Sequence, residues 1–482
     1  MEQVKKAGLG YTVGNVLLKG VIFLTLPIFT NLLSTADFGL YNTYVSYELL
    51  LSAILGLGIY GTIKKAFFDF KDDYKRYLSS SIVCMLVVLA VFLGLTLIFK
   101  KPLESFTSFP FYIIVLCLLQ GFGSAIIQLF SSHLLVRFKY KEYLLISVIN
   151  TVVGVGLSIL LILTCFKSDG TKYIGRIIGY ATPVILIGLI ITVLILLKGK
   201  TLFRKDFFVY LAKIGFVLIP HVVAQYILNQ SDRVIIAKLV DDSAAGIYSY
   251  AYSICSILFV VYLSLDGIWT PWTYYQFEKQ DDQSVKSSSI RYIIFGLCLY
   301  IGFVSIAPEL YKLMAPAEYN QGMVMLLYLS LSMFYFFLYY IPVSLEYYDK
   351  KTLLVSVATV AAAALNIVLN ILLIPVMGYI AAAITTLIAF FLLYVFHLIL
   401  SLKFKVKTRY SMKTLLISTL GAAVISVPLY FLMNNSIIST IIRIIIIVCL
   451  LVFMFFYFKK DLLGIINKKK GEKDVKVDKE NI

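Results

Sequence analysis

Apolar segments of about twenty residues recur along the whole sequence, and they restrict the fold more than any other feature. Residues 81–99 and 144–166 are two of them. Such lengths match a helix that crosses the hydrocarbon core of a bilayer. The chain is 60% hydrophobic and only 14% charged, whereas about a quarter of the residues of a soluble domain are charged. The sequence therefore predicts a membrane protein and excludes a secreted disulfide-bonded or a nucleic-acid-binding protein.

Breaks at charged residues, prolines and Gly, Asn or Asp residues divide the chain into about fourteen apolar spans. Each is close to the length that a bilayer requires. The expected fold class is an all-α polytopic membrane protein with about 14 transmembrane helices. The predicted spans are residues 8–33, 38–63, 78–99, 109–136, 143–166, 173–197, 211–239, 244–270, 290–311, 321–345, 352–374, 378–402, 412–432 and 436–458.

Positive charges fall mainly in every second connection between these spans. With the N-terminus inside, the inner segments hold 33 Lys and Arg residues, and the outer segments hold 7, which are Lys100, Lys101, Lys167, Lys172, Arg176, Lys238 and Lys312. Lys and Arg are retained on the cytoplasmic side, so both termini are predicted to be cytoplasmic. The net charge of +17 then reflects topology and attraction to anionic inner-leaflet lipid. Membrane lipid, and no nucleic acid, is the expected partner.

A faint internal repeat divides the chain into two halves. Gly39–Ser46 (GLYNTYVS) opens the second span and Gly246–Ser253 (GIYSYAYS) opens the eighth, 207 positions later, while Tyr173-Ile174 and Tyr379-Ile380 match at a shift of 206. The agreement predicts two six-helix lobes plus two C-terminal helices. Because six is even, the lobes are parallel repeats related by an axis along the membrane normal. The predicted domains are an N-terminal lobe (1–200), a C-terminal lobe (201–405), helices 13 and 14 (406–460) and a basic cytoplasmic tail (461–482).

Polar residues on one face of the first span form a first candidate site. Tyr11, Asn15 and Lys19 recur at four-residue spacing, which places them along one side of a helix. From its position in the span, Lys19 is expected near the bilayer centre, where a charge normally faces a cavity or a partner. One interpretation is that Lys19 binds an anionic substrate. The other is that Lys19 pairs with Glu48, which is expected at a comparable depth in the second span.

The seventh span carries a second polar face, formed by His221, Gln225, Asn229 and Asp232, with Arg233 beside it. Pro220 precedes this face and interrupts the helical hydrogen bonds, which frees carbonyl groups that can bind a ligand or ion. Two interpretations stay open. The face contacts substrate and couples an ion through Asp232, or Asp232 and Arg233 form a pair near the outer end of the span.

Motifs for catalysis and cofactor binding are missing from the sequence. It contains no GxxxxGK[ST], no HExxH and no nucleophile elbow. The six cysteines each fall in a different apolar span and lack metal-ligand spacing. We therefore expect no enzyme activity and no cofactor. A secondary transporter or flippase that works by alternating access is the remaining class.

Nine short segments, taken in order, carry a resemblance to a known family. They are Lys19-Gly20, Leu26–Ser34 (LPIFTNLLS), Asp37–Tyr41 (DFGLY), Lys64–Asp69 (KKAFFD), Asp232–Ile236 (DRVII), Ala245–Tyr252 (AGIYSYAY), Leu365–Asn370 (LNIVLN), Ile374-Pro375 and Gly378–Ala382 (GYIAA). Together they resemble the Wzx-type polysaccharide flippases. The likeness covers nearly the whole chain and also fits the wider multidrug, oligosaccharidyl-lipid and polysaccharide exporter superfamily, with its MATE-like fold.

The resemblance implies a bacterial inner-membrane protein that turns an undecaprenyl-pyrophosphate-linked oligosaccharide from the cytoplasmic to the outer leaflet, for O-antigen or capsule export beside a polysaccharide polymerase. Lys19 would suit the pyrophosphate.

The driving force is either the membrane potential, which favours outward movement of ~2 negative charges by roughly 2.3 kcal/mol per charge per 100 mV, or Na⁺ or H⁺ antiport through Glu48 or Asp232. Two alternatives stay open: a cation-coupled multidrug extruder of the same fold, and a membrane-embedded glycan-handling enzyme.

Overall fold

Helices make up nearly all of the computed structural model, which describes residue 20 and residues 23–403, 410–434 and 436–480. No strand occurs within these ranges. The helices are α1 (Phe23–Leu32), α2 (Thr35–Leu55), α3 (Ile59–Asp69), α4 (Tyr74–Ile98), α5 (Lys100–Thr107), α6 (Phe111–Val136), α7 (Tyr140–Thr164), α8 (Lys172–Gly199), α9 (Lys205–Leu211), α10 (Val217–Leu239), α11 (Asp242–Glu278), α12 (Asp282–Leu313), α13 (Met325–Tyr348), α14 (Thr352–Met377), α15 (Ile380–Lys403), α16 (Met412–Phe431) and α17 (Ile437–Glu480).

Thirteen helical segments of the described chain are long and apolar enough to cross a membrane. They coincide with the second to fourteenth predicted spans, and α1 covers the end of the first span. In α13, 89% of the most apolar 18 residues are buried inside the protein, whereas in α17 only 11% are. An apolar helix with so little burial is typical of a lipid-facing position. The prediction of an all-α, multi-pass membrane protein is confirmed.

The second predicted span is interrupted rather than continuous. Helix α2 ends at Leu55, and α3 begins at Ile59 after a turn in which Leu57 (φ 52°) and Gly58 (φ 65°) adopt the left-handed backbone conformation. Position 58 requires glycine for a second reason, because a Cβ there would lie 2.2 Å from the carbonyl oxygen of Gly215. The break in the second span is therefore fixed by contact with the start of the seventh.

The seventh span also departs from regular α geometry. A π-helical turn at Ala212–Phe216 separates α9 from α10, and Pro220 lies in the first turn of α10. The proline ring clashes with the carbonyl group four residues earlier, which here belongs to Phe216. A π-bulge widens the helix and relieves such a clash. The irregular turn thus lies where the proline predicts an interruption.

Two compact units are distinguished by their internal packing. One contains the described parts of residues 1–250 together with 313–321 and 352–389, and the other contains residues 251–312, 322–351 and the described parts of 390–482. The lobes predicted at residues 1–200 and 201–405 stay predictions. The same is true of the cytoplasmic position of both termini.

The two copies of the sequence repeat meet in the first unit at a close helix crossing. A Cβ on Gly39 would lie 1.8 Å from the carbonyl oxygen of Asp242, and a Cβ on Gly246 would lie 2.0 Å from that of Thr35. Asp242 follows Thr35 by the same 207 positions that separate the two glycines. Thr35 also hydrogen bonds to Ser243 through the two hydroxyl groups, at 2.6 Å. The contact is therefore reciprocal, as a local twofold relation between α2 and α11 requires.

Candidate functional site

Three hydrogen-bonded pairs of side chains join α2 to α6 in the first unit, and we call them the α2–α6 ladder. They are Tyr44 donating to Gln120 at 2.8 Å, Ser124 donating to Glu48 at 2.5 Å and Gln128 donating to Ser52 at 3.3 Å. The partners are always 76 positions apart, and the pairs recur every four residues. The two helices therefore run parallel and in register, and Glu48 is one rung of this ladder.

Asp232 of α10 is fully buried, and its carboxylate accepts hydrogen bonds from three other helices. The hydroxyl of Tyr248 (α11) donates to Oδ2, to which Thr386 (α15) also donates, at 2.7 Å. Asn370 (α14) donates to Oδ1 at 2.6 Å. We call these four residues the Asp232 cluster. Because all three donors are uncharged, they solvate the carboxylate without cancelling its charge.

A second layer of polar groups holds the Asn370 side chain in place. Its amide oxygen accepts from the hydroxyl of Thr385, and its nitrogen also lies 3.3 Å from the amide oxygen of Asn366. Ser231 donates to the same Asn366 oxygen at 3.5 Å. The Asn366 nitrogen is buried and has no hydrogen-bond partner among the described residues. Since an unpartnered buried amide is costly, this layer has the character of a site rather than of simple packing.

The atoms in this region that could act as ligands to an ion are oxygens. The described residues contain no group of three or more His, Cys, Asp or Glu side chains that could hold a metal ion. The Asp232 cluster instead combines one carboxylate with two hydroxyl groups, while Asn370 turns its amide nitrogen toward the carboxylate and its amide oxygen toward Thr385. Carboxylate and hydroxyl oxygens suit a hard cation, and the carboxylate by itself suits a proton.

The neighbouring polar residues of α10 bond along their own helix. Asn229 donates to the carbonyl of Gln225 at 2.7 Å, and Arg233 donates to the carbonyl of Asn229 at 2.9 Å. The Arg233 guanidinium is 5.9 Å from the ring centre of Tyr248. The structure therefore brings Arg233 to the edge of the Asp232 cluster. The substrate contacts predicted for this face stay predictions, as does an Asp232–Arg233 pair.

Other predicted residues are placed only in part. His221 is half-buried, and its Nδ1 has no hydrogen-bond partner within the described chain. Tyr11, Asn15 and Lys19 lie outside the described residues. Both interpretations of Lys19, as an anion contact and as the partner of Glu48, stay predictions.

Sequence reasoning missed several residues that the structure brings into the candidate site. Asn366 and Asn370 lie four residues apart in an otherwise apolar helix, and this spacing is the signal that could have singled them out. Arg176, counted above as a charge in an outer connection, lies inside α8, four residues after its start at Lys172. Arg176 also falls inside the predicted sixth span (173–197), so the count of outer charges includes a residue of a helix.

The family of this chain follows from its similarity to known proteins. Residues 4–274, more than half of the chain, match the family described as polysaccharide biosynthesis protein. The chain belongs to this family. A relative from Haemophilus influenzae, described only as an uncharacterized membrane protein, is 27% identical over 382 residues, which make up 75% of this chain and 87% of the relative.

Solved transporter structures share the fold. Lipid II flippase MurJ, in an inward closed conformation, matches with a TM-score of 0.72 at 16% identity, over 94% of this chain and 99% of that chain. An inward-facing multidrug resistance MATE family transporter of the MOP superfamily matches with a TM-score of 0.56 at 13% identity, over 81% of this chain and 95% of that chain. At such identities the likeness shows the fold alone. The expected MATE-like fold is confirmed.

Proposed function

We propose that this protein is a flippase that translocates undecaprenyl-pyrophosphate-linked oligosaccharide units from the cytoplasmic to the outer leaflet of a bacterial inner membrane. Membership of the polysaccharide biosynthesis family carries the proposal, and the fold shared with a lipid II flippase supports it. The translocated units would serve a polysaccharide polymerase in O-antigen or capsule export. No catalytic role is proposed for the chain.

Ion coupling through Asp232 is the second part of this proposal, with Na⁺ or H⁺ as the coupling ion. An ion shifts a conformational equilibrium only if it binds the two conformations with different affinity. The Asp232 carboxylate accepts from donors on α11, α14 and α15. Neutralising it weakens bonds to all three helices at once, so any rearrangement of these helices changes the affinity for the ion.

Reconstituted vesicles test this function. A fluorescent polyprenyl-pyrophosphate oligosaccharide is placed in one leaflet, and its arrival in the other is measured with an impermeant quencher, with and without a Na⁺ or pH gradient. We expect gradient-dependent movement above that of protein-free vesicles. Movement no faster than in protein-free vesicles would contradict the proposal, and chemical conversion of the lipid-linked sugar would indicate a glycan-handling enzyme instead.

A cation-coupled multidrug extruder is the second candidate, favoured by the fold shared with the MATE transporter. The same vesicles can be loaded with a cationic dye. Gradient-driven dye export without movement of the lipid-linked oligosaccharide would support this candidate and remove the first.

A further inference from the structure

The guanidinium of Arg176, a half-buried residue, lies between three aromatic rings in the first unit. The Arg176 guanidinium carbon is 3.5 Å from the ring centre of Phe29 (α1), 4.7 Å from that of Tyr41 (α2) and 5.9 Å from that of Tyr180 (α8). Tyr41 and Tyr180 contact each other edge to face, with ring centres 6.0 Å apart. We call these three aromatic residues the cage.

The start of α8 is tied to α2, and this connection sets the position of the guanidinium. The Asp37 carboxylate of α2 accepts from the backbone N–H groups of Gly170 and Tyr173, at 3.1 and 3.2 Å. Arg176 follows Tyr173 by three residues, which is about one helical turn. These two bonds hold the start of α8 against α2, and so bring Arg176 near Tyr41.

The guanidinium has fewer polar partners than its charge requires. Its Nη1 donates to the hydroxyl of Ser158 at 3.0 Å, while its Nε is buried without a hydrogen-bond partner. No carboxylate of the described residues forms an ion pair with it. Arg443 offers a contrast, because it is fully buried within an apolar helix but pairs with Glu309. Arg176 therefore holds a positive charge for which the described chain supplies no negative one.

Aromatic contacts offset only part of the cost of this charge. A cation over aromatic rings gains electrostatic attraction, but the rings supply neither a negative charge nor the full set of hydrogen bonds that a guanidinium has in water. A planar guanidinium is well suited to bind phosphate oxygens through its N–H groups. We propose that Arg176, held by the cage, binds a phosphate group of the lipid-linked substrate. This inference rests on the proposed function and adds a specific substrate contact to it.

Direct binding to the purified protein tests the inference. Farnesyl pyrophosphate is the probe, with farnesol and phosphatidylglycerol as comparison ligands, and affinity is measured by calorimetry in detergent. We expect farnesyl pyrophosphate to bind more tightly than both comparison ligands. Arg176→Gln should weaken its binding about tenfold to a hundredfold, because charged hydrogen bonds are lost. Arg176→Lys should recover part of the affinity, because the charge is kept and the planar fork is lost.

Lys172→Gln is the matched control, because Lys172 is one turn earlier on α8 and pairs with the exposed Asp169. It should leave binding unchanged. Size-exclusion profiles and thermal unfolding show that each variant is folded. If Arg176→Gln does not fold, the affinity of Arg176→Lys decides, and an affinity equal to that of the wild type overturns the inference.

Three outcomes contradict the inference, and they are distinguishable. Unchanged affinity of a folded Arg176→Gln protein would make the cage a structural contact and leave the proposed function intact. Equally tight binding of phosphatidylglycerol, lost in the same variant, would make Arg176 a site for lipid headgroups. Equal affinity of the wild type for farnesyl pyrophosphate and farnesol would count against the proposed function itself and, with it, against this inference.

Discussion

Glu48 and Asp232 are both carboxylates buried in the first unit, yet the chain holds them in different ways. Glu48 accepts from one hydroxyl, that of Ser124, and its helix is joined to α6 by further rungs on either side. Asp232 accepts from donors on three helices, and one of those donors is itself held by a second layer of side chains. Glu48 thus belongs to a row of hydrogen-bonded pairs between two helices, whereas Asp232 lies where four helices meet.

This contrast indicates which of the two buried carboxylates can couple to a conformational change. Each pair of the α2–α6 ladder joins the same two helices, and the neighbouring pairs keep these helices in register. The charge of Glu48 can therefore change without moving α2 or α6. A convergence point joins four helices through one charged group, so its neutralisation alters several contacts together. This comparison favours Asp232 over Glu48 as the ion-coupling residue.

The strongest test of the comparison exchanges each carboxylate for its amide. Asp232→Asn should lower gradient-driven transport in vesicles by about 5- to 150-fold, the usual range of a coupling free energy, because no charge remains to be neutralised. Glu48→Gln should change it less than about twofold, since the amide oxygen can still accept from Ser124. Thermal unfolding confirms that both proteins are folded. Loss of coupling in Glu48→Gln with retention in Asp232→Asn would reverse the comparison.

The crossing of α2 and α11 connects the two regions, and it is the next test. Gly39→Ala should lower the free energy of unfolding by about 3 kcal/mol, because the new Cβ would lie 1.8 Å from a backbone oxygen that cannot move alone. Gly246→Ala should have a similar effect if the contact is reciprocal. Gly94→Ala is the control, since nothing lies within 4 Å of its Cβ position, and it should be neutral or stabilising. Tolerance of both crossing variants in thermal unfolding would remove the reciprocal contact.

Removing one donor from the Asp232 cluster should have a smaller effect. Asn370→Ala deprives the Oδ1 atom of Asp232 of its 2.6 Å hydrogen bond, at a cost of about 1–3 kcal/mol. We expect the ion concentration for half-maximal transport to change about tenfold. Asn31→Ala, which removes an exposed amide bonded to the carbonyl of Pro27, should leave it unchanged. Identical ion dependence in the two variants would show that Asn370 takes no part in coupling.

The smallest effect is expected in the ladder. Ser52→Ala removes its longest rung, at 3.3 Å, and hydrogen bonds between membrane helices are worth about 0.6 kcal/mol on average. Thermal unfolding should therefore change little, and ion-dependent transport should not change. A free-energy loss above about 2 kcal/mol would give the ladder the same weight as the Asp232 cluster and weaken the distinction drawn between them.

The membrane-spanning helices can be predicted from the sequence alone, because the length of an apolar segment is a local property. A bilayer fixes the length of an apolar segment that can cross it, so thirteen of the predicted spans have a counterpart among the described helices. The internal repeat can also be recognised in the sequence. Its two copies each carry a small residue where two helices approach closely. The Gly39–Gly246 crossing is where that pattern becomes a contact.

The contacts between polar side chains of different helices, in contrast, depend on how the helices pack. The donors to Asp232 are 16, 138 and 154 positions away in the chain, and helical periodicity orders residues along one helix but not between helices. The aromatic surroundings of Arg176 likewise depend on Phe29 and Tyr41 of two other helices. The break at Gly58 likewise depends on the backbone of Gly215. Contacts of this kind are set by how helices pack, and a single helix does not encode them.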